Sequence, residues 1–312
     1  MHATVEQSVK PSPHQITAFT EAARQRSFSA AARVLGVTQS SITQHVAKLE
    51  RQVGTPLFIR QRDGLVLTRT GRSLFGLTDQ MRSLEEAVQE RLTEFGTLSA
   101  GSLRIIGNAP RPALDYITAF LKVHPGIEIN LRLATWEQVV ESLNARDCDL
   151  AFLTDPPANH GLTSRLIGHV GYRAYARGED PLAALEEVRL ADLAERTLVV
   201  PEDGSLTQRI VRQAFAGAGM PLPRLLKAGT FPLVKETVLH GAGIGIMLDA
   251  SVHDDPRLVA RPIRGMARRH AIYLMTQPDR RDLRLIARFY EVCADQPQPA
   301  ACAGTRRAKG AI

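Results

Sequence analysis

Residues 27–74 read SFSAAARVLGVTQSSITQHVAKLERQVGTPLFIRQRDGLVLTRTGRSL, and the order of caps, glycines and apolar positions in this stretch decides how the chain begins. Ser29 caps a short helix through Ala30-Ala31-Ala32-Arg33-Val34-Leu35, which Gly36 closes. Thr38 opens a second helix over residues 39–53, whose Ile42, Val46, Leu49 and Val53 fall on one face at steps of four, three and four. Two helices joined by a turn at Gly36 have the form of a helix-turn-helix. The exposed face of the second carries Gln39, Ser40, Ser41, Thr43, Gln44, His45 and Lys48. Beyond it, β-prone runs on either side of Asp63-Gly64 predict a two-stranded wing, with Arg60 and Arg62 on its arm within reach of phosphate. Upstream, Ser12 and Pro13 open a helix over 13–25 with Ile16, Phe19 and Ala23 at helical spacing.

Charge separates this head from the rest. The chain has 312 residues and a formal net charge of +7, yet residues 1–70 hold nine basic and four acidic side chains while 71–295 hold 27 and 28. A basic head on a neutral body indicates a polyanion-binding module joined to something else, or simply a solubilising surface. Residues 296–312 add three basic groups and no acid, in a tail expected to be disordered. Three dispersed cysteines exclude a disulfide framework and fit a reducing compartment, so a cytoplasmic location is expected. No run approaches the roughly 18 apolar residues that a membrane helix needs, so no membrane partner is expected.

Residues 70–95 contain no proline and place Leu74, Leu77, Met81, Leu84, Val88 and Leu92 at steps of three, four, three, four and four. That stripe suits a coiled-coil-like dimer seam, although the same stripe could pack on its own domain. A small-residue hinge at 97–102 follows. The body then repeats β-prone and helical segments: strands at 103–107, 127–133, 149–153, 170–177, 197–201, 242–248 and 271–277, and helices at 110–123, 136–144, 206–218 and 281–293. Repeated β-α units predict a parallel sheet in an α/β layer.

The stretch quoted above resembles the DNA-binding head of LysR-type transcriptional regulators. The resemblance rests on the small-residue helix at Ala30-Ala31-Ala32, the Gln39 opening, Leu49-Glu50, the run from Gly54 through Pro56-Leu57-Phe58 to Arg60, and the Leu67-Thr68 to Gly71 close. Ser40 stands where that family often has proline, and Gln44-His45 replace a pair that frequently includes arginine, so base-reading contacts do not transfer. The resemblance implies a winged helix-turn-helix domain at 1–69, a linker and dimerisation helix at 70–96, and an α/β effector domain. That domain has two Rossmann-like lobes in a type 2 periplasmic-binding-protein-like fold, lobe I at 103–166 plus 277–295 and lobe II at 167–276. It implies as partners double-stranded DNA at a pseudo-palindromic promoter site, a small-molecule effector, RNA polymerase and further copies of the chain in a dimer of dimers. Gln39, Ser40, Thr43, Gln44 and His45 then face the major groove with Ser41 nearby, and Thr38, Lys48, Arg60 and Arg62 grip phosphate. Shorter matches at 254–263 and 279–286 resemble the branch associated with 2-aminoethylphosphonate catabolism, which implies an anionic or zwitterionic effector. A carboxylate or amino-acid-like metabolite is the alternative.

Ligands of open α/β sheets sit beyond the carboxyl ends of strands, where helix starts offer unpaired amides. The junctions here are Asn108-Ala109, Thr135-Trp136, the segment 203–207 and Phe231-Pro232-Leu233. Ser205 and Thr207, beside Gly204, are the leading effector contacts, with simple capping as their competing role. Arg209 and Arg111 could add charge, Trp136 is either a lid or core, and Asp203 or Glu202 could answer a cationic group. No GxSxG elbow, GxxxxGK[ST] loop or HExxH helix occurs, so neither catalysis nor a cofactor is expected. The glycine run at 241–245 leads into an apolar strand, where it lets the backbone turn tightly.

Overall fold

Ser12 caps α1 (Pro13–Gln25) through a reciprocal pair, its Oγ accepting from Gln15 N at 3.3 Å while Gln15 Oε1 accepts from Ser12 N at 2.6 Å. The structure is a computed structural model and describes residues 10–62, 64–92, 101–108, 110–158, 160–249 and 255–295. Contacts divide it into two units, Met1–Phe95 with Ala145–Asp147, and Gly96–Asn144 with Cys148–Ile312.

In the first unit α2 (Phe28–Leu35) is capped by Ser27, two residues before the expected Ser29. Ser27 has the extended backbone a cap requires and accepts from Ala30 N, whereas the Ser29 hydroxyl only meets that of Ser27. Helix α3 (Gln39–Val53) starts at Thr38, as its spacing predicts. Strands β1 (Phe58–Gln61) and β2 (Gly64–Leu67) form the antiparallel wing, and Gly64, expected in the turn, pairs with Gln61 as the first residue of β2. Phe19, Ala22, Ala31, Ile42, Leu49 and Leu57 form a core closed on all sides. Glu50 ties α3 to the wing, its Oε1 accepting from Leu57 N at 2.8 Å.

Helix α4 (Arg69–Leu92) buries Phe75, Thr78, Asp79 and Ser83, and the fully buried Asp79 pairs with Arg24 of α1 at 2.6 Å. Most of the apolar stripe lies on the other side. Leu74, the first residue of the stripe, packs against the core of its own domain, whereas Leu77, Met81, Leu84, Val88 and Leu92 are 46–74% exposed. Residues 93–100, with most of the expected hinge, and the tail 296–312 lie outside the described residues, while Gly101 and Ser102 open a strand rather than a hinge.

The second unit begins with β3 (Gly101–Gly107), α5 (Pro110–Val123), β4 (Ile127–Leu133), α6 (Trp136–Asn144), β5 (Leu150–Thr154), β6 (Thr163–Val170) and β7 (Tyr172–Arg177). It continues with β8 (Val188–Arg189), α7 (Leu190–Leu193), β9 (Leu198–Pro201), α8 (Leu206–Gly217), β10 (Leu225–Ala228) and α9 (Phe231–Leu239). Last come β11 (Ile244–Leu248), β12 (Leu258–Arg264), β13 (His270–Thr276) and α10 (Arg284–Asp295).

Five strands order as β4-β3-β5-β13-β6 and six as β10-β9-β11-β7-β12-β8. Neither sheet is purely parallel as predicted: β13 runs antiparallel to β5 and β6, and β7 runs antiparallel to β11 and β12. These are the strands that carry the chain between the two sheets. The expected lobe limits shift accordingly. All of β6 and β13 pair in the first sheet, so the chain crosses at Gly171 and again between Arg264 and His270, not at 166 and 277. A strand's sheet is fixed by its pairing partner, and β13 pairs with a strand about 100 positions earlier in the chain. Gly243 makes the tight approach expected of the glycine run: a Cβ there would lie 2.2 Å from Thr197 O, which accepts from Ile244 N.

Candidate functional site

Within the first unit, Gln39, Ser40, Gln44 and Lys48 are exposed on α3, and Ser41 and Thr43 are half-buried beside them. Two hydroxyls already have local bonds. Thr38 Oγ1 accepts from Ser41 N at 3.2 Å as the helix cap, and Thr43 Oγ1 donates to Gln39 O at 3.0 Å, which leaves its lone pairs and methyl group outward. His45 departs from the exposed face predicted for it. It is half-buried with its ring 5.9 Å from that of His14 on α1, and its Nδ1 is buried without a hydrogen bond. Arg60 and Arg62 are exposed on the wing, and the Arg60 guanidinium stands 5.6 Å over the Phe28 ring, a cation–π contact that positions it.

In the second unit a cavity of about 100 Å³ opens at the carboxyl ends of β3, β4, β9, β10 and β11. Asn108, Thr135, Trp136, Ser205, Thr207 and Phe231, all named from the junction pattern, line it together. Three helix starts converge there. Thr135 caps α6 in a reciprocal pair with Gln138, Ser205 caps α8 by accepting from Gln208 N at 3.2 Å, and Thr230 caps α9 by accepting from Leu233 N at 3.4 Å. Each start brings a partial positive charge from its aligned peptide dipoles. Asn108 spends Oδ1 on Thr154 N at 3.0 Å, which leaves its NH2 end for the cavity.

Two predicted contacts do not line this cavity. Arg209 stacks on Trp136 with its guanidinium carbon 4.2 Å from the ring centroid, and Pro232 occupies the first turn of α9, where its missing N–H is tolerated. Trp136 is neither plain core nor plain lid: its indole N–H donates to Thr154 O at 2.8 Å, one part of the ring meets Arg209, and the residue also lines the cavity. Of the two acids considered, Glu202 lines the cavity, while the exposed Asp203 pairs with Lys227, whose ammonium holds its carboxyl below the usual range. Nothing is described of the Arg111 side chain. Sequence reasoning missed Tyr172, Gln138, Thr230 and Leu248. Thr230 before Phe231-Pro232 carries a cap signature that could have found it; Tyr172 carries none.

Among the described residues no group of three or more His, Cys, Asp or Glu side chains could hold a metal ion. Cys148 and Cys293 are buried, and burial pushes the Cys293 thiol up to about 12, far from a reactive thiolate. No helix of the described residues is long and apolar enough to cross a membrane.

Residues 13–72 match the helix-turn-helix region of bacterial regulatory proteins of the lysR family, and residues 95–298 match the LysR substrate binding domain. The chain is 27% identical over 275 residues to the RuBisCO operon transcriptional regulator of Allochromatium vinosum, covering 86% of this chain and 90% of that one. A full-length point variant of OxyR from Pseudomonas aeruginosa superposes with a TM-score of 0.76 at 15% identity, over 92% of this chain and 98% of that one. The Synechocystis PCC6803 CcmR regulatory domain in complex with 2-PG superposes with a TM-score of 0.56 at 21% identity, over 62% of this chain and 96% of that one.

Proposed function

The chain belongs to the LysR family of bacterial helix-turn-helix regulators, and from that premise we propose that a small oxyanion-bearing metabolite in the cavity of the second unit controls its hold on DNA. It is a DNA-binding transcriptional regulator with an effector-binding α/β domain of the periplasmic-binding-protein type, and not an enzyme. The observation that carries the effector reading is the meeting of three capped helix starts, α6, α8 and α9, on one small cavity with Ser205 and Thr207 in its wall. Such an arrangement favours negative charge, and among the described residues that line the cavity none is a lysine or arginine.

The effector must bind one arrangement of the two lobes better than another, since equal affinity shifts nothing. Ser205→Ala combined with Thr207→Ala removes two hydroxyl donors. Each hydrogen bond to a charged group contributes about 1.5–3 kcal/mol, so effector affinity should fall at least about a hundredfold. DNA affinity should stay within a few-fold. Calorimetric titration of small anions and a gel-shift assay on the same variant check this; equal loss of both activities would point to misfolding and count against the cavity.

The narrower expectation of an aminophosphonate effector gains no support from the relative described above, a RuBisCO operon regulator, and 2-PG accompanies a structure that shares the fold. The residues behind that expectation have other occupations. Asp255 pairs with Lys235 and Arg257, each at 2.9 Å, and Arg280 is buried against Asp149, none of them lining the cavity. An amino group would meet Glu202 at the cavity wall, so 2-aminoethylphosphonate belongs in the titration panel beside carboxylates.

On DNA, α3 enters the major groove with Gln39, Ser40 and Gln44 toward base edges, while Thr43 and Ser41 flank them and His45 supports α3 from the α1 side. Lys48, Arg60 and Arg62 contact phosphates, and Thr38 orders the helix start. Replacing Lys48 or Arg62 with alanine should weaken binding to all sequences alike and lower the salt slope by about 0.9 per lost contact. A changed base preference at constant salt slope would refute the phosphate role. The exposed stripe Leu77, Met81, Leu84, Val88 and Leu92 is the surface on which we place self-association, the basis of a symmetric dimer on a pseudo-palindromic site.

A further inference from the structure

One buried group in the cavity wall is left unexplained by the fold. Tyr172 opens β7 and is 3% exposed, and its buried hydroxyl makes no hydrogen bond of normal geometry, although the Thr207 side chain stands close enough to interact with it. Buried hydroxyls are nearly always paired, because an unpaired one has given up its bonds to water for nothing. In the wall of a small cavity such an orphan marks a place for an atom of the ligand.

We infer that the Tyr172 hydroxyl is an effector-binding donor which, with Thr207 and the first-turn amides of α8, receives one oxyanion group of the effector. The inference rests on the cavity being the effector site. The α8 start supplies what that group needs: Leu206 and Thr207 are its first two residues, and the amides at those positions have no partner within a helix. Burial pushes the Tyr172 hydroxyl well above the ordinary phenol range, so at neutral pH it is protonated and donates to an anion rather than repelling it.

The position of Tyr172 adds a consequence. It directly follows Gly171, where the chain passes from the five-stranded to the six-stranded sheet, and its ring meets His270 edge-on at 5.2 Å and 78°. His270 is the first residue of β13, the return crossing. Both crossings are pinned by carboxylates. Asp249 accepts from Gly171 N at 3.1 Å, and Asp155 takes His270 Nδ1 at 2.6 Å and Ala271 N at 3.0 Å. An oxyanion bound to Tyr172 therefore acts on the two segments that must bend if the lobes move, so occupancy reaches the hinge through one side chain.

Tyr172→Phe in the full-length chain keeps the ring and its contact with His270 and removes only the hydroxyl. Inorganic phosphate, glycolate and 2-aminoethylphosphonate are titrated calorimetrically against wild type, Tyr172→Phe and the Ser205→Ala, Thr207→Ala double variant, and the melting temperature of each is recorded without ligand. The best-bound probe should lose roughly tenfold or more in affinity to Tyr172→Phe. The unliganded melting temperature should stay about level, because the empty protein loses no hydrogen bond of normal geometry, only the contact with Thr207. A hydroxyl with a purely structural role gives the reverse, a lower melting temperature with affinity intact, and overturns the inference. Weakening in the double variant alone discards Tyr172 while the cavity stands. If wild type binds no probe, or both variants bind as wild type does, the effector reading of the cavity fails and the inference with it.

Discussion

Replacing Gly71 with alanine is expected to cost the DNA-binding head about 3 kcal/mol, the upper part of the range for overpacking a closed core, and most of its DNA binding at physiological temperature. Gly71 lies in the first turn of α4, where a Cβ would stand 2.2 Å from Leu57 O and 3.0 Å from a methyl of Leu67. Neither neighbour can yield cheaply. Leu57 is fully buried and its carbonyl already accepts from Thr68 N at 3.0 Å, while Gly71 N is bonded to Thr68 Oγ1 at 3.0 Å. Relief requires α4 to move off the wing, which opens the core that holds α3 in place. A domain of this size shifts its melting temperature by about 4–8 °C per kcal/mol, so the head transition should fall by more than about 10 °C. Differential scanning calorimetry with a parallel gel-shift assay checks this, and an unchanged melting profile would mean that the Leu57 carbonyl gives way without cost.

Asp149→Ala should destabilise the effector domain by about 3–5 kcal/mol, the usual cost of removing one partner from a buried ion pair. Asp149 precedes β5 and accepts from Arg104 N at 2.8 Å, from the Arg104 guanidinium at 3.1 Å and from Arg280 Nη1 at 3.0 Å. Arg280 is 1% exposed, so losing Asp149 leaves a buried cation with Cys148 O as an acceptor, at 2.9 Å. Burial by itself would raise the Asp149 carboxyl, but Arg104 and Arg280 outweigh it and hold the group below the ordinary value of 3.8. The folded form therefore binds its proton less readily than the unfolded chain. The stabilisation is complete above that ordinary value and is lost as pH falls through the lower folded one. Wild type should thus lose melting temperature in acid more steeply than Asp149→Asn, as thermal scans between neutral pH and about pH 3 would show; parallel profiles would exclude the carboxylate as the cause.

The head is readable because its signals are local. Ser12, Thr38, Gly36 and Gly54 mark helix ends within one turn of the residues they bond, and the apolar step pattern over Ile42, Val46 and Leu49 names the face that is buried. Even the cap on α2 is a choice between two serines two positions apart, settled by which hydroxyl reaches Ala30 N. The cavity is readable in part for the same reason. Thr135, Ser205, Thr207 and Phe231 sit where strands give way to helices, and a helix start announces itself through its cap.

What stays hidden depends on partners far away in the chain. That β13 belongs beside β6 follows from its fit between β5 and β6, a choice that no property of residues 270–276 announces. Arg209 follows the Ser205 cluster at a spacing that suggests a ligand, yet it stacks on Trp136, a residue of the other lobe. Tyr172 has no motif at all; it reaches the cavity because the chain crosses between sheets at the residue before it. By itself the sequence determined the two-part plan, the helix-turn-helix, the charge partition and the junctions where a ligand can meet helix starts. Only the tertiary structure decided which strands share a sheet, which charges are spent on neighbours and which hydroxyl is left unpaired. Caps and periodicities are written in contacts within a turn or two of helix, whereas strand pairing, ion pairing and the walls of a cavity come from contacts between residues tens of positions apart, to which each residue contributes only half.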